Sequence, residues 1–519
     1  MSRAERIERV AWIALLLVAG FLHLYRLTER PFHHDESVHG WFSWRLAFEG
    51  DYKYDPVYHG PVQYYAVATA FRLLGDSDLA ARLPAALGGT ALVALAFLLR
   101  ERFGKATAFA SGALLAASPV LLYYTRFCRE DVWSLLGTAG TFLFLERWYR
   151  KGRVRELAVA ALFAAVAFAS KENFYVLLAL LPPSAALCLL EPGRGLDLRG
   201  RFRQVKSLVV KNAAAITAAV LLFFVVSELL YTVFLTHPDS GNPAWTAIGY
   251  WWGQHKVARV GGPWWYHLPR LLQYEFAILL PAIGLSLVRW KRFGAAERFL
   301  FGWGVLSIGM YAFLGEKTPW LIVHQTLPFV PLAGRAFAWA FRAGVLARLS
   351  AAALATASVV SALSLSFWHP ALTPRDDKAE SVIFVQTSPE MKEVVQEILT
   401  AAASGANPAA AIQGESVWPL EWYLRHAPVD WGLPSAEKKP AVAIVDPKDA
   451  DEAAQRLGPG YVRRDVPLRV WWLPEIGNGV PTLGQLETYL FRRVPWSPIG
   501  SQDVVVFRRA PTGSGRITP

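Results

Sequence analysis

The stretch "VAWIALLLVAGFLHLYRLTERPFHHDE", residues 10–36, decides how the rest of the chain is read. It opens with an apolar run close to the roughly 20 residues that a membrane-spanning helix needs. It ends with two histidines, an aspartate and a glutamate in consecutive positions, 33–36. Pro31 stands between the two parts and breaks the first helix. The opening has the charged and apolar regions of a signal peptide, but "GFLHLYRLTERP" offers no small-x-small cleavage site, so it reads as an uncleaved first span.

The pattern repeats outward from this stretch. A composition of 54% hydrophobic residues with only 18% charged, including 21 Trp and 30 Phe, describes a polytopic membrane protein rather than a soluble one. Apolar stretches recur near 79–99, 106–125, 131–148, 156–170, 173–190, 209–235, 271–289, 297–314, 319–336 and 345–367, giving about eleven transmembrane helices with the first. The net charge of +12 is distributed in a way that excludes a nucleic-acid partner. Basic residues gather in every second connection: Arg3, Arg6 and Arg9; Arg100, Arg102 and Lys105; Arg147 to Arg155; Arg194 to Lys211; Arg289 to Arg292; Arg335 to Arg348. This is the positive-inside pattern of a multi-pass plasma-membrane protein with a cytoplasmic N-terminus. An odd number of spans then puts the tail after residue 367 outside.

Two outer loops are long, at 29–78 and 236–270. The second is loaded with Trp, which fits the headgroup belt or, as a sharper reading, a sugar-stacking platform. The membrane domain occupies 1–370. From 376 to 519 strand-like "SVIFVQ", "AAAIQG", "AVAIVD" and "VPLRVWWLP" alternate with helical "PEMKEVVQEILTAA", "WPLEWYLRH", "PKDADEAAQRLG" and "TLGQLETYLFRR". That alternation predicts a C-terminal extracytoplasmic α/β domain with a mainly parallel sheet.

Ionisable groups near span ends are costly and call for a reason. Here they lie on outward ends: "HHDE" (33–36), "YHGP" (58–61), "TRFCRED" (125–131), "SKEN" (170–173), "YE" (274–275) and "GEKTPW" (315–320). In the first, Asp35 reads as the cap of an amphipathic surface helix bearing Val38, Trp41, Phe42 and Phe48 on one side. His39 falls four residues after Asp35 and three after Glu36, so a carboxylate and an imidazole can share a face. In "GEKTPW", Thr318 reads as N-cap and Pro319 as the first helical residue, which sets Lys317 beside the positive end of a helix.

Taken together, "YHGPVQYY", "DLAARLPAALGG" and the acidic pair after the first span resemble the GT-C class of integral-membrane glycosyltransferases, in its dolichyl-phosphate-mannose-protein mannosyltransferase-like branch. "TRFCREDVW", "ASKENFYV" and "GEKTPWLIVHQTLPFVPLAG" resemble more narrowly a prokaryotic subgroup often labelled flippase-activity-associated. The resemblance covers residues 1 to about 340. It implies a GT-C-like domain acting on a polyprenyl-phosphate-linked sugar at the outer membrane face, with inversion at the anomeric carbon. It also implies that Asp35, with Glu36 beside it, carries the catalytic acid position, and that the second acidic position falls at Glu130 or Asp131. A divalent metal, Mg or Mn, is a candidate between Asp35, Asp131 and Glu130.

Transfer of a sugar to a hydroxyl of a glycan, lipid or protein needs a carboxylate to take the acceptor proton and positive charge for the departing phosphate. Asp35 meets the first need; Lys317, Lys171, Arg126 and Arg129 are candidates for the second. His34, His39, His59, Glu172, Glu275 and Glu316 are the supporting polar groups. The alternative function, translocation of lipid-linked saccharides, calls for polar residues through the full membrane depth, and few are present in the spans.

Overall fold

The computed structural model describes residues 2–188, 198–238, 243–257, 261–368, 378–475 and 480–510. Part of the basic run that starts at Arg194, and short pieces of the second outer loop, lie outside the described residues. The chain forms two compact units. One comprises the residues up to Leu27 with Phe42–Trp368; the other comprises Thr28–Trp41 with the chain after Trp368. The sequence-based boundary near 370 therefore misses one element: the "HHDE" stretch belongs with the C-terminal domain.

Every apolar stretch of the first unit is helical. The helices are Arg3–Leu24, Asp78–Leu95, Lys105–Ala117 with Pro119–Tyr124, Asp131–Lys151, Val154–Phe168, Asn173–Cys188, Ala213–Tyr231, His267–Tyr274 with Phe276–Arg289, Ala295–Phe313, a series of short turns from Pro319 to Ala340, and Val345–Leu363. Among the described residues Arg3–Leu24, Asp78–Phe103, Ala213–Tyr231 and Val345–Trp368 are long and apolar enough to cross a membrane unbroken. The pair His267–Tyr274 and Phe276–Arg292 meets the same test with a 96° bend. Elsewhere proline sets the breaks: Pro119, Pro319 and Pro328 each open a new helical segment, because proline lacks the N–H that would continue the preceding one.

Helices Asp131–Lys151 and Val154–Phe168 pack closest where they lack side chains. A Cβ added at Gly137 would lie 2.6 Å from the Ala167 backbone nitrogen, and one at Gly140 would lie 2.3 Å from the Phe163 ring. This notch holds the first residue of one helix, Asp131, beside the turn that follows the other, which carries Lys171. A second close approach docks the outer loop on that turn. Gly60 donates its N–H to Ser170 O at 3.0 Å and Val62 donates to Ala169 O at 3.1 Å. A Cβ at Gly60 would stand 2.2 Å from the Ala169 oxygen, so only glycine fits.

In the second unit a six-stranded sheet runs in the order β1-β5-β6-β4-β2-β3. The strands are β1 Gln386–Thr387, β2 Ala410–Ile412, β3 Val429–Trp431, β4 Val442–Val445, β5 Tyr461–Trp471 and β6 Gly500–Arg509. Alternation along β4 and β6 buries both faces: Val442, Ile444, Val504 and Val506 pack with helix Glu390–Ala403, while Ala443, Val445, Val505 and Phe507 pack with helix Ala450–Leu457. The four expected helices are present. The sheet is mixed rather than mainly parallel, because β6, which the sequence reading did not identify, enters between β4 and β5 and runs antiparallel to both. Among the described residues only the β2–β3 and β2–β4 pairs are parallel.

Residues 28–41 are fastened to this domain. Phe32 stacks on Trp422 at 5.2 Å with the rings 9° apart, and its N–H donates to the Tyr423 hydroxyl at 2.8 Å. Gln386 Nε2 donates to Pro31 O at 3.0 Å, and Lys392 Nζ donates to the Thr28 and Glu29 carbonyls at 3.1 Å each.

The glycine notch gives a direct test of the packing. Gly137→Ala should lower unfolding free energy by about 1–3 kcal/mol, as overpacking against backbone does. Gly284→Ala, where a Cβ meets nothing within 4 Å, should be close to neutral, and chemical denaturation of the two variants side by side reads the difference.

Candidate active site

Charged motifs at helix ends of the first unit converge on one ammonium. Lys171 Nζ donates to Glu130 Oε1 at 2.6 Å and to Asp131 Oδ1 at 2.7 Å. Arg129 also touches both acids, its Nε 3.1 Å from Asp131 Oδ2 and its Nη2 3.2 Å from Glu130 Oε1, the oxygen that Lys171 also meets. All four side chains are buried. The "SKEN" and "TRFCRED" motifs thus meet as one alternating array of charges, in which each acid touches two cations.

"YHGP" joins the same array. His59 Nε2 lies 3.5 Å from Glu130 Oε1, and its Nδ1 donates to Glu172 Oε2 at 2.7 Å. Its ring stacks on Trp251 at 5.0 Å and 6°, which brings in the Trp-rich second outer loop. Burial works against the imidazolium, but Glu172 and Glu130 outweigh it and hold its pKa above the ordinary histidine value. Lys171 follows the same logic. Burial opposes its charge, and Asp131 with Glu130 more than compensates, so it stays a cation.

Two participants were not read from the sequence. His324 Nε2 stands 3.4 Å from Asp131 Oδ1, and Trp320 lies under the Arg129 guanidinium at 4.0 Å, a cation–π contact. His324 did carry a signal, as an ionisable residue inside the apolar run "WLIVHQTLPF".

The other candidates are placed elsewhere. Arg126 donates to the carbonyls of Leu22, Tyr25 and Arg26 at 2.7 to 3.2 Å, closing the C-terminal end of the first helix. Lys317 does the same for helix Ala295–Phe313, with Nζ on Tyr311 O and Ala312 O at 2.8 Å each and on Leu314 O. Three carbonyls occupy the three N–H bonds of the ammonium. Thr318 has the extended backbone of an N-cap, but its side chain makes no cap bond, and the Lys317 ammonium lies against the end of the preceding helix. Glu316 is half-buried next to it. Glu275 sits at the 96° bend, where its Oε1 accepts from Ser118 Oγ at 2.7 Å and Val120 N at 3.1 Å, capping helix Pro119–Tyr124.

In the second unit, helix His34–Phe48 begins one residue before the expected cap. His33, not Asp35, caps it: its Nδ1 accepts the Asp35 N–H at 3.1 Å while its Nε2 donates to Phe384 O at 2.8 Å, which fixes the neutral tautomer. Glu36 completes the box by accepting the His33 N–H at 3.0 Å, and it is fully buried 3.6 Å from Arg30. Asp35 is left with a side chain 29% exposed. His39 Nδ1 donates to Asp35 O at 2.7 Å, and the His34 carbonyl accepts from Ser37 Oγ at 2.6 Å. The adjacent acids thus differ: Glu36 is tied into the helix start, whereas the Asp35 carboxylate reaches solvent.

Among the described residues no three His, Cys, Asp or Glu side chains are arranged to hold a metal. Glu130 and Asp131 already face Lys171 and Arg129, and that donor set does not fit a resident divalent cation.

Residues 58–211 match the dolichyl-phosphate-mannose-protein mannosyltransferase family. The structure is similar to the crystal structure of ArnT from Cupriavidus metallidurans bound to undecaprenyl phosphate, with a TM-score of 0.60 and 16% identity over 99% of this chain and 100% of that one. It is also similar to the archaeal oligosaccharyltransferase AglB from Archaeoglobus fulgidus, solved with an inhibitory peptide and a dolichol-phosphate, with a TM-score of 0.55 and 12% identity over 89% of this chain and 70% of that one. In sequence, the undecaprenyl phosphate-alpha-4-amino-4-deoxy-L-arabinose arabinosyl transferase 1 of Pseudomonas fluorescens is 25% identical over 354 residues, 63% of this chain. The match spans 59% of that relative's length.

Lys317→Ala separates a helix-end role from a phosphate ligand. Loss of its carbonyl contacts should lower stability by about 1.5–3 kcal/mol, the worth of a charged hydrogen bond, and leave donor affinity unchanged. Donor binding and melting temperature measured on one preparation decide it, and weakened binding at an unchanged melting temperature would restore the phosphate role.

Proposed function

We propose that the protein transfers a sugar from a polyprenyl-phosphate donor to an acceptor hydroxyl at the outer face of the membrane, with inversion. The acceptor oxygen attacks the anomeric carbon as the bond to the phosphate oxygen breaks. The hydroxyl proton goes to Asp35, and polyprenyl phosphate leaves with the bonding electrons. Asp35 suits the base because the helix cap falls to His33 and the buried acid position to Glu36, while its own carboxylate is part-exposed. The positive charge that phosphate departure needs is assigned to Lys171 and Arg129.

One observation carries the reading. The family match at 58–211 encloses His59, Arg129, Glu130, Asp131, Lys171 and Glu172, the residues that the fold gathers into one network. A charge array of this kind inside the matched segment fits a site better than a surface of solvated loops.

Purified protein in detergent, where translocation cannot occur, should transfer sugar from a polyprenyl-phosphate donor. Asp35→Asn should abolish transfer with a melting temperature near wild type, since the side chain is 29% exposed and the substitution keeps its size. Transfer at the wild-type rate would remove Asp35 from the mechanism. Chelation of divalent cations should leave the rate unchanged, given the ion-paired state of Glu130 and Asp131.

The outer-face assignment rests on the alternation of basic and bare connections. A reporter active only in the cytoplasm, fused after the C-terminal domain, should be silent; strong activity would invert the topology.

A further inference from the structure

Away from the charged network, helices Asp131–Lys151, Asn173–Cys188 and Ala295–Phe313 enclose a cavity of about 480 Å³ at the basic end of the first unit. Its floor is aromatic. Phe142 stacks on Phe299 at 5.6 Å and 6°, and Trp303 lies 6.1 Å from each. Leu145, Leu177 and Leu181 add to largely apolar walls, which Thr138, Thr141 and Tyr149 also line.

The rim is of opposite character. Arg102 and Arg150 stand on it with Glu146, whose Oε1 is 2.7 Å from Arg150 Nε and 3.6 Å from Arg102 Nε. The array extends through Glu101 and Glu156 to Arg147, Lys151 and Arg155, so five basic side chains share three carboxylates. The rim guanidiniums are also part-exposed, 35% for Arg102 and 28% for Arg150, so a ligand can reach them.

We propose that this cavity is a binding site for an anionic phospholipid, with one acyl chain on the aromatic floor and the phosphate on Arg102 and Arg150. An apolar cleft opening at a basic helix end takes an acyl chain and a phosphate at once. Guanidinium offers the phosphate paired donors. The residual positive charge selects an anionic over a zwitterionic headgroup. The volume falls within the roughly 300–1,000 Å³ typical of ligand sites. The site does not depend on the transferase reading, and none of its residues is assigned to the reaction.

Native mass spectrometry of the purified full chain, exchanged into detergent and offered phosphatidylglycerol or phosphatidylcholine, tests it. Phosphatidylglycerol should be retained about tenfold better or more, as two arginines near a phosphate imply. Ala296→Trp places an indole at the cavity wall without deleting a core side chain and should remove that preference. Arg150→Gln should reduce it while keeping a hydrogen-bonding group, and it serves as the deciding variant if Ala296→Trp does not fold. Equal retention of the two lipids, or a preference untouched in the folded variants, would overturn the proposal. Displacement by undecaprenyl phosphate at equimolar concentration, or by inorganic phosphate alone, would also overturn it, showing a prenyl-phosphate site or a bare anion site.

Discussion

The Lys171 ammonium, held between Glu130 and Asp131, is the contact on which the first unit depends. A buried ion pair is not in itself a large source of stability, because desolvation cancels much of the Coulomb gain. What it does here is set position. Once Lys171 is buried its charge must be met, and among the described residues the two acids at the start of helix Asp131–Lys151 meet it. The turn after Val154–Phe168 is thereby fixed on that helix start, and the Gly137 and Gly140 notch lets the two helices come close enough. The outer loop follows, because Gly60 and Val62 hydrogen-bond to the same turn.

Other cations in this unit show how the same residue types serve a different end. Arg126 and Lys317 each close the carbonyl end of a helix, where the dipole favours positive charge. Glu275 does the reverse at a helix start. Three ionisable residues at span ends therefore answer to unsatisfied backbone groups, while Arg129, Glu130, Asp131 and Lys171 answer to one another. A polar residue at membrane depth has to be paired, and the identity of its partner tells the two groups apart.

Much of this was legible in the sequence. Helices fall on all the apolar stretches because hydrophobicity and length are local properties, and the four helices of the C-terminal domain follow from their amphipathic period. The charged motifs that converge, "YHGP", "TRFCRED" and "SKEN", were visible as costly groups near span ends. Partners were not visible. Nothing near Lys317 in sequence shows that its ammonium turns back on the preceding helix rather than toward the Thr-Pro start after it. Likewise Asp35 looked like the cap because aspartate favours that position, whereas His33 takes it through a tautomer fixed by Phe384, 351 residues away. The attachment of residues 28–41 to the C-terminal domain, through Phe32 on Trp422, is long-range in the same sense, and so is the insertion of β6 that makes the sheet mixed.

The account stands on the claim that Lys171 and Asp131 form one interdependent unit, and a double-mutant cycle measures that dependence. Unfolding free energies in detergent would be compared for Lys171→Met, Asp131→Asn and the double variant. Each single change removes one partner of a buried charge, leaving Asp131 with Arg129 or Lys171 with Glu130, and should cost up to about 3–5 kcal/mol. The double variant removes both charges, so its loss should fall below the sum of the singles by more than about 1 kcal/mol. Strictly additive losses would show that the two charges stabilise the fold independently and would contradict the network as the element that organises this unit.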